Sequence, residues 1–273
     1  MTSVLTTADD TFHLPKDDND PWWTETVWFA WMIPERQLLG YYYVAFRPNL
    51  GVYSGGVTVF DASAELPWEL PFHNWDWHQA IPEGLDLRNA ELENGMGIIA
   101  EEPGTRYHLT YEHRRGLSLD MHYTATCPPL LSLQVPPFIH GHLDQIGHVT
   151  GTMVLDGEVL PIDCLAMRDR SWGPRPEGPQ PRAGYSYGAL PGGTAFLAVG
   201  MSKDHAREIT TGFLHRDGTQ HRLTSGTREV ERDGDGRPTA IHIDAVDEDR
   251  RSLVVHGRVV SQQVLPVYSS MLC

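Results

Sequence analysis

Short apolar runs broken by turn residues recur along almost the whole chain, and this pattern constrains the fold more than any other feature. The dipeptides Asp156-Gly157 and Asp217-Gly218 each separate two such runs, and Asp-Gly between apolar segments is a strong signal for a β-hairpin. No long segment shows the 3.6-residue periodicity of an amphipathic helix. We therefore predict an all-β protein with more than about 40% of its residues in strands, roughly twice the usual share.

The order of strands and turns in the first half of the chain is echoed in the second. Residues 40–60 and 184–202, for example, share a pattern of two aromatic strands around a Gly- or Pro-containing turn. Repetition on this scale suggests duplication of a β-domain. The predicted fold is therefore two tandem antiparallel β-barrel or β-sandwich domains, since closure removes sheet edges and leaves an interior for one small ligand.

The predicted domain boundaries follow from this repetition. Residues 1–20 are polar and acidic and are expected to form a flexible N-terminal arm. The two β-domains are predicted at 21–137 and 138–273. The last nine residues, 265–273, are typical of a strand with no turn after it. This suggests the hypothesis that the natural chain extends beyond Cys273 and that the second domain is truncated here.

Composition disfavours several functional classes. No run approaches the roughly 18 apolar residues that a membrane span needs, and the first residues lack the basic and apolar regions of a signal peptide. The net charge of −15, from 21 basic and 36 acidic residues, disfavours binding to nucleic acid or anionic lipid. Three separated cysteines, Cys127, Cys164 and Cys273, suit free thiols in a reducing cytoplasm. We expect a cytoplasmic protein, and the sequence leaves open whether it forms a homodimer.

Charged residues are concentrated at the end of one predicted strand, in the segment DCLAMRDRSWGPR at 163–175. A Gly-Pro pair breaks the strand, which should place Arg168, Asp169 and Arg170 at the rim of a sheet. An arginine beside Asp169 favours the ionised carboxylate, whereas burial against Trp172 raises the pKa of that carboxyl. The plainer alternative is a salt-bridged strand end that only holds a loop in place.

Two segments resemble motifs of a known superfamily. Residues 167–173, MRDRSWG, resemble the D-x-[NS]-W-G stretch of lipocalin-like hydratases, which include carotenoid 1,2-hydratases and kievitone hydratases. The string RDRSWGPR and the upstream segment HLDQIGHVTG at 142–151 resemble a bacterial uncharacterised family of the same superfamily. The resemblance implies two tandem lipocalin-like domains with a hydrophobic ligand near their interface, and places Asp169 where the hydratases have their aspartate. Met167 stands where those enzymes have an aromatic hydroxyl.

Hydration or dehydration of an unactivated carbon needs a strong acid in a dry pocket and a means of stabilising positive charge. A carboxylic acid in an apolar pocket can stay protonated near neutral pH, and aromatic faces stabilise cations. The predicted catalytic residues are Asp169 as proton donor, with Arg168 or Arg170 tuning its acidity, and Asp144 or a histidine such as His142 to position or deprotonate water. The predicted ligand-binding residues are Trp28, Trp31, Tyr42, Trp75, Trp77, Trp172, Arg170 and Tyr185, with core packing as the ordinary alternative for each tryptophan.

The histidines around residue 142 raise the question of a metal site. His140, His142, Asp144 and His148 would share one face of an extended strand, and such a set could bind zinc. The arrangement requires a regular strand through two intervening glycines, so we predict no bound metal. No GxGxxG segment opens a helix, so no nucleotide cofactor is expected.

These observations predict a cofactor-independent hydro-lyase, a hydratase or dehydratase or a related isomerase or cyclase. Its expected substrate is a hydrophobic isoprenoid, steroid-like or aromatic small molecule. The alternative is a non-catalytic lipocalin-like carrier of the same class of ligand, which needs only an apolar cavity. Only an enzyme needs a buried acid in contact with that ligand. A metal-dependent enzyme that uses the histidines at 140–148 is the third hypothesis.

Overall fold

The protein is almost entirely β-structure. The computed structural model describes residues 6–14, 19–135, 139–176, 183–201 and 207–264. Strands make up 66% of the structure and helix 4%, so the all-β prediction is confirmed. Among the described residues no helix has the length and apolarity that crossing a bilayer would require. Cys127 and Cys164 are buried free thiols, as expected, whereas Cys273 lies outside the described residues.

The elements of the described chain follow in order. The 3-10 helical turns are Thr7–Asp10, Pro34–Arg36 and Pro48–Leu50. The strands are β1 (Trp23–Ile33), β2 (Leu38–Arg47), β3 (Val52–Phe60), β4 (Phe72–Ala80), β5 (Asn89–Glu91), β6 (Met96–Glu102), β7 (Arg106–His113), β8 (Leu117–Ala125), β9 (Leu130–Val135), β10 (Ile139–Leu155), β11 (Glu158–Pro174), β12 (Ala183–Ala189), β13 (Ala195–Met201), β14 (Ile209–Arg216), β15 (Thr219–Arg232), β16 (Pro238–Asp247) and β17 (Ser252–Arg258).

Two antiparallel sheets contain these strands. The first has the order β4-β3-β2-β1-β11-β10-β8-β7-β6-β5, with β9 also paired to β10. The second contains β12 to β17 in sequence order. The chain divides into two compact units, residues 1–177 with 263–273, and residues 178–262. This division differs from the boundary predicted at 137/138, because β10 and β11 pair with β8 and β1 and so complete the first sheet.

The predicted hairpins are present at both Asp-Gly dipeptides. Asp156-Gly157 connects β10 to β11 with φ values of 50° and 85°, and Asp217-Gly218 connects β14 to β15 with φ values of 53° and 73°. A two-residue type I′ turn needs positive φ at both positions, which Gly adopts without strain and Asp tolerates. The turn residues therefore explain why these two connections are so short.

Two segments that were predicted as irregular are strands. The Pro, Trp and His residues of 62–82 and their lack of a clear period predict a long aromatic loop, but this segment contains β4, which pairs with β3. The segment LLSLQV at 130–135 lies between two Pro-Pro pairs, which predicts a linker, but it forms β9 beside β10. In β4 the alternation of Trp75 and Trp77 with polar residues is the two-residue period of a strand. The surrounding Pro, Trp and His residues obscured that period.

The described part of the N-terminal arm is held against the first sheet. Asp10 is 3% exposed and accepts hydrogen bonds from the Tyr107 hydroxyl at 2.7 Å and the Gly104 amide at 2.6 Å. The His13 ring stacks on Trp172 with centroids 3.7 Å apart. Residues 6–14 are therefore anchored rather than flexible, because a buried carboxylate fixes them. The strand predicted at 265–273 lies outside the described residues.

Candidate active site on the central strands of the first sheet

Asp169 lies in the middle of the first sheet, on β11. It is directly opposite Asp144 of β10 and directly opposite Trp28 of β1. Directly opposite residues of antiparallel strands project from the same face and interact, and like charges in that position repel each other. The arrangement of Asp144 beside Asp169 therefore requires a proton or a positive charge close to the two carboxyl groups.

His142 supplies that positive charge. Its Nε2 atom lies 2.9 Å from Oδ1 of Asp144, and one ligand atom from each of His142, Asp144 and Asp169 lies within 4.8 Å of the others. Burial lowers the pKa of His142, but the Asp144 carboxylate, with a smaller contribution from Asp169, more than reverses this and raises it to about 9. At neutral pH the His142 ring is therefore an imidazolium.

One nitrogen of His142 remains for a ligand. Nδ1 is buried and has no hydrogen-bond partner among the described residues. In the imidazolium both ring nitrogens carry a proton. Because Nε2 is occupied by Asp144, Nδ1–H is the donor of His142 that has no partner among the described residues.

Asp169 has the ionisation behaviour of a proton-transfer group. Burial raises the pKa of its carboxyl to about 6; the His142 imidazolium opposes this rise, and the Asp144 carboxylate reinforces it. A group with a pKa close to the working pH is effective both in giving and in accepting a proton. Perturbed ionisation caused by burial and specific charges is a common property of functional sites.

Ser171, Thr26 and Arg175 extend the same face toward the end of β11. Ser171 follows Asp169 by two residues, and its hydroxyl oxygen lies 2.6 Å from that of Thr26 on β1. Arg175 donates a hydrogen bond to the Ser171 hydroxyl. The Nε atom of Arg175 is buried and lacks a hydrogen-bond partner in the described part of the chain. Sequence reasoning missed these residues as a group, although the two-residue spacing from Asp169 was a signal for Ser171.

Tyr43 is a further residue that sequence reasoning missed. It lies on β2 directly opposite Trp28. Burial raises the pKa of its hydroxyl; Arg175 lowers it and the Asp169 carboxylate raises it further. The Tyr43 hydroxyl is thus neutral at physiological pH and electrostatically coupled to both charged groups. No local sequence signal identified it, because its position depends on the pairing of β1 with β11.

Aromatic rings line the sheet beside these polar groups. The rings of Tyr43 and Trp75 stack with centroids 5.5 Å apart, and Trp77 lies 6.0 Å from Trp75. Gly56 separates Tyr43 from Trp75 across β3, and a Cβ atom there would approach the Asn74 carbonyl oxygen to 2.0 Å. Of the predicted ligand-binding residues, Trp28 on β1 lies directly opposite Asp169, whereas Trp75 and Trp77 lie on β4, three strands beyond β1.

The structure places the two predicted arginines on the opposite face of the sheet. Arg168 is 1% exposed; its Nε donates to Gln145 Oε1 at 2.7 Å, and its guanidinium lies over the Tyr107 ring at 4.4 Å. Asp10 lies 3.5 Å from Arg168, and Arg170 forms an ion pair with Glu25 at 2.8 Å. Both arginines therefore stabilise the interior of the first unit.

Trp31, Tyr42 and Trp172 also lie on this interior face. Tyr42 is completely buried and donates a 3.0 Å hydrogen bond to the Gly97 carbonyl. Trp31 is 2% exposed, and Trp172 packs in a buried cluster with Trp23, Leu131 and Leu143. Tyr185 belongs to the second unit, where its ring contacts Tyr187 at 6.3 Å. Trp31, Tyr42 and Trp172 are thus part of the packed interior, whereas Tyr185 is partly exposed in the second unit.

Only part of the predicted zinc cluster is assembled. His142 and Asp144 lie together, but His140 contacts the edge of Trp23 and His148 pairs with Asp163 at 2.6 Å. Among the described residues two groups of side chains could hold a metal ion: His142, Asp144 and Asp169, and a second group of His108, Asp120 and His122. The buried thiols of Cys127 and Cys164 are not suited to nucleophilic chemistry, because burial raises the pKa of each to about 11.

Comparison with known proteins supports the fold. A family model described as a domain of unknown function (DUF7064) matches residues 6–272. The crystal structure of kievitone hydratase from Nectria haematococca is similar, with a TM-score of 0.56 and 11% identity over 89% of this chain and 78% of that chain. A protein from Nitrosomonas europaea provisionally described as AttH gives a TM-score of 0.49 and 17% identity over 88% of this chain and 81% of that chain. No curated protein shows significant sequence similarity to the chain.

Proposed function

The chain belongs to the family described as a domain of unknown function (DUF7064), and we propose that it is an acid-catalysed hydro-lyase. The observation that carries the proposal is the Asp169 carboxyl, whose pKa burial raises to about 6, next to the His142–Asp144 pair. The fold likeness to kievitone hydratase adds that one protein with this architecture is named for hydration. Because a fold does not determine function, the main support for this proposal is the arrangement of Asp169, His142 and Asp144.

The geometry suggests how dehydration would proceed. The Nδ1–H of His142 holds the substrate hydroxyl oxygen, and protonated Asp169 transfers its proton to that oxygen. The C–O bond breaks with its electron pair moving to oxygen, which leaves as water. The Asp169 carboxylate then takes a proton from the neighbouring carbon, the C=C bond forms, and the carboxyl is regenerated. Hydration is the reverse sequence.

This mechanism revises the roles that were expected for His142 and Asp144. Since the pKa of His142 is raised to about 9, its ring is a hydrogen-bond donor at neutral pH and not a base that activates water. Asp144 keeps His142 charged and oriented. Asp169 is therefore the residue that donates and accepts the proton in both dehydration and hydration.

The aromatic residues suggest the substrate class. Loss of a hydroxyl from an unactivated carbon develops positive charge, which an aromatic face stabilises through its quadrupole. Trp28 lies directly opposite Asp169, Tyr43 lies opposite Trp28 on the following strand, and the Trp75 ring stacks on that of Tyr43. We therefore propose a hydrophobic isoprenoid, steroid-like or aromatic alcohol, or the corresponding alkene, as substrate.

The test begins with the molecule that co-purifies with the protein. Solvent extraction and mass spectrometry identify it, and incubation with fresh protein should change its mass by one water or introduce ¹⁸O from labelled water. Asp169→Asn should slow this reaction by about 10²-fold or more, the usual scale for general acid–base catalysis. Asp163→Asn is the matched control, because Asp163 lies on the same strand but its side chain is 79% exposed.

The dependence of kcat/KM on pH gives a second criterion. If protonated Asp169 is the donor, kcat/KM should decrease as the pH rises through about 6, because the carboxyl loses its proton there. A ligand that binds Asp169→Asn and wild type equally, and that neither protein changes chemically, would instead identify a carrier.

A further inference from the structure

A second group of side chains that could bind a metal lies on β7 and β8; β8 pairs with β10, but through residues 147–155 and not through His142 or Asp144. His108 and His122 are directly opposite each other, and their rings stack with centroids 4.4 Å apart and an interplanar angle of 7°. Asp120 precedes His122 by two residues on β8, and its Oδ1 lies 2.8 Å from Nε2 of His108. One ligand atom from each of these residues lies within 4.8 Å of the others.

These distances fit the coordination sphere of a transition-metal ion. Zinc bonds of about 2.0–2.1 Å at tetrahedral angles place neighbouring ligand atoms about 3.3 Å apart. The separation of 2.8 Å between His108 Nε2 and Asp120 Oδ1 is a hydrogen-bond distance, so admitting the ion requires these atoms to part by about 0.5 Å and the stacked His122 ring to turn toward them. Glu101 on β6, whose Oε1 is 3.7 Å from Nδ1 of His122, lies outside this three-residue group and would have to move toward it to serve as a fourth ligand.

We propose that His108, Asp120 and His122 form a surface site for Zn²⁺, with Glu101 as a fourth ligand. Imidazole together with carboxylate is a common ligand set for zinc, whereas Mg²⁺ prefers oxygen ligands and octahedral geometry. The side chains are accessible, with exposures of 24% for His108, 69% for Asp120 and 48% for His122. The net charge of −15 also attracts cations. A bound ion would tie together β6, β7 and β8 and stabilise the folded state by mass action.

The test is calorimetric titration of untagged protein with Zn²⁺. His242 and His256 form another cross-strand pair, with Nδ1 atoms 2.8 Å apart, so every protein in the test carries His256→Ala. In this background the parent should bind Zn²⁺, and an additional His122→Ala change should weaken the affinity by more than about tenfold. The rise in melting temperature with Zn²⁺ should disappear in the same variant.

His148→Ala is the matched control. His148 is also exposed and also pairs with an aspartate, Asp163, at 2.6 Å, but it belongs to neither of the three-residue groups. Its removal should leave the Zn²⁺ affinity unchanged. A large excess of Mg²⁺ should fail to displace Zn²⁺, since diffuse attraction to the net charge would not distinguish the two ions.

Zn²⁺ binding that His122→Ala and Asp120→Asn leave unchanged would overturn the proposal. The proposal would be wrong in that case whether the ion binds at the candidate active site or is attracted only by the net negative charge. The circular dichroism spectrum of each variant establishes that the fold is retained. Asp120→Asn provides the second arm if His122→Ala disturbs the sheet, because the amide preserves the shape of the carboxylate and weakens only its ligand character.

Discussion

Replacement of Asp169 by asparagine should stabilise the protein at pH 7.5 while it removes the proposed proton donor. The ordinary pKa of the carboxyl is 3.8, and burial raises it to about 6 in the folded protein. One pKa unit corresponds to about 1.4 kcal/mol, so burying the ionised form costs the folded state up to about 3 kcal/mol. Asparagine has nearly the same shape and does not ionise, so it avoids this cost.

The sign of the pH dependence follows from the direction of the shift. Below about pH 4 the carboxyl is protonated in both the folded and the unfolded protein, and it contributes no penalty. Between about pH 4 and pH 6 the unfolded chain loses its proton first, so the free energy of unfolding decreases as the pH rises. Above about pH 6 the full penalty is present. The stabilisation by Asp169→Asn should therefore increase over this interval and then remain constant.

Two effects reduce the stabilisation that we expect from Asp169→Asn. Asp169 is only partly buried, and its carboxylate contributes to the raised pKa of His142. Neutralising Asp169 therefore makes the charged form of His142 less favourable, and this cancels part of the stabilisation. We expect a net increase of about 1–2 kcal/mol in the free energy of unfolding at pH 7.5, or about 2–6 °C in melting temperature.

Melting curves of wild type and Asp169→Asn between pH 4.5 and 8 measure the difference in stability between the two proteins. Asp163→Asn, at an exposed position, is the control, and its difference from wild type should not increase with pH in this way. A loss of about 3–5 kcal/mol at pH 7.5 would refute the reasoning, because it is the cost of leaving a buried cation without its partner. Asp169 would then be a structural anchor. The expected result is the opposite, since Arg168 and Arg170 have acidic partners of their own.

Three further predictions concern neighbouring contacts. Arg170→Met should destabilise the protein by about 3–5 kcal/mol in denaturant unfolding, because it leaves the buried Glu25 carboxylate without its arginine, and adding Glu25→Gln should recover most of this loss. Gly141→Ala should cost about 1–3 kcal/mol and change the tryptophan fluorescence, since the new Cβ would lie 2.1 Å from the Trp172 ring. Tyr43→Phe should lower turnover by about tenfold while the melting temperature changes little, because the hydroxyl acts on charge and not on packing.

Much of the strand pattern could be predicted from the sequence because its signals are local. Between the turn signals Pro103-Gly104 and Arg114-Arg115-Gly116 and after them, alternating polar and apolar residues predict strands at 106–113 and 117–125, and these coincide with β7 and β8. β4 and β9 were missed because proline and tryptophan dominate their surroundings. Their strand character depends on pairing with β3 and β10, and such partners cannot be identified from local composition.

The pairing of Asp144 with Asp169, at the centre of the candidate site, can be derived from the sequence because it too depends on a local turn. In a two-residue hairpin at Asp156-Gly157, Leu155 pairs with Glu158. Moving eleven residues away from the turn along each strand pairs Asp144 with Asp169. Turn type and loop length fix the register of a hairpin. Tyr43 and Arg175 were missed because no local turn relates β11 to β1 and β2.

The same register explains why the predicted pairing of Asp169 with its flanking arginines does not form. Successive side chains of a strand point to opposite faces, so Arg168 and Arg170 project into the interior when Asp169 projects from the other face. Each arginine there has its own acid, and neither compensates the charge of Asp169 by direct contact. Burial can therefore raise the pKa of Asp169, as it could not for a carboxylate held in a salt bridge. A shift of one residue in the pairing of β11 would exchange the two faces, leaving the arginines at the site and the aspartate in the core.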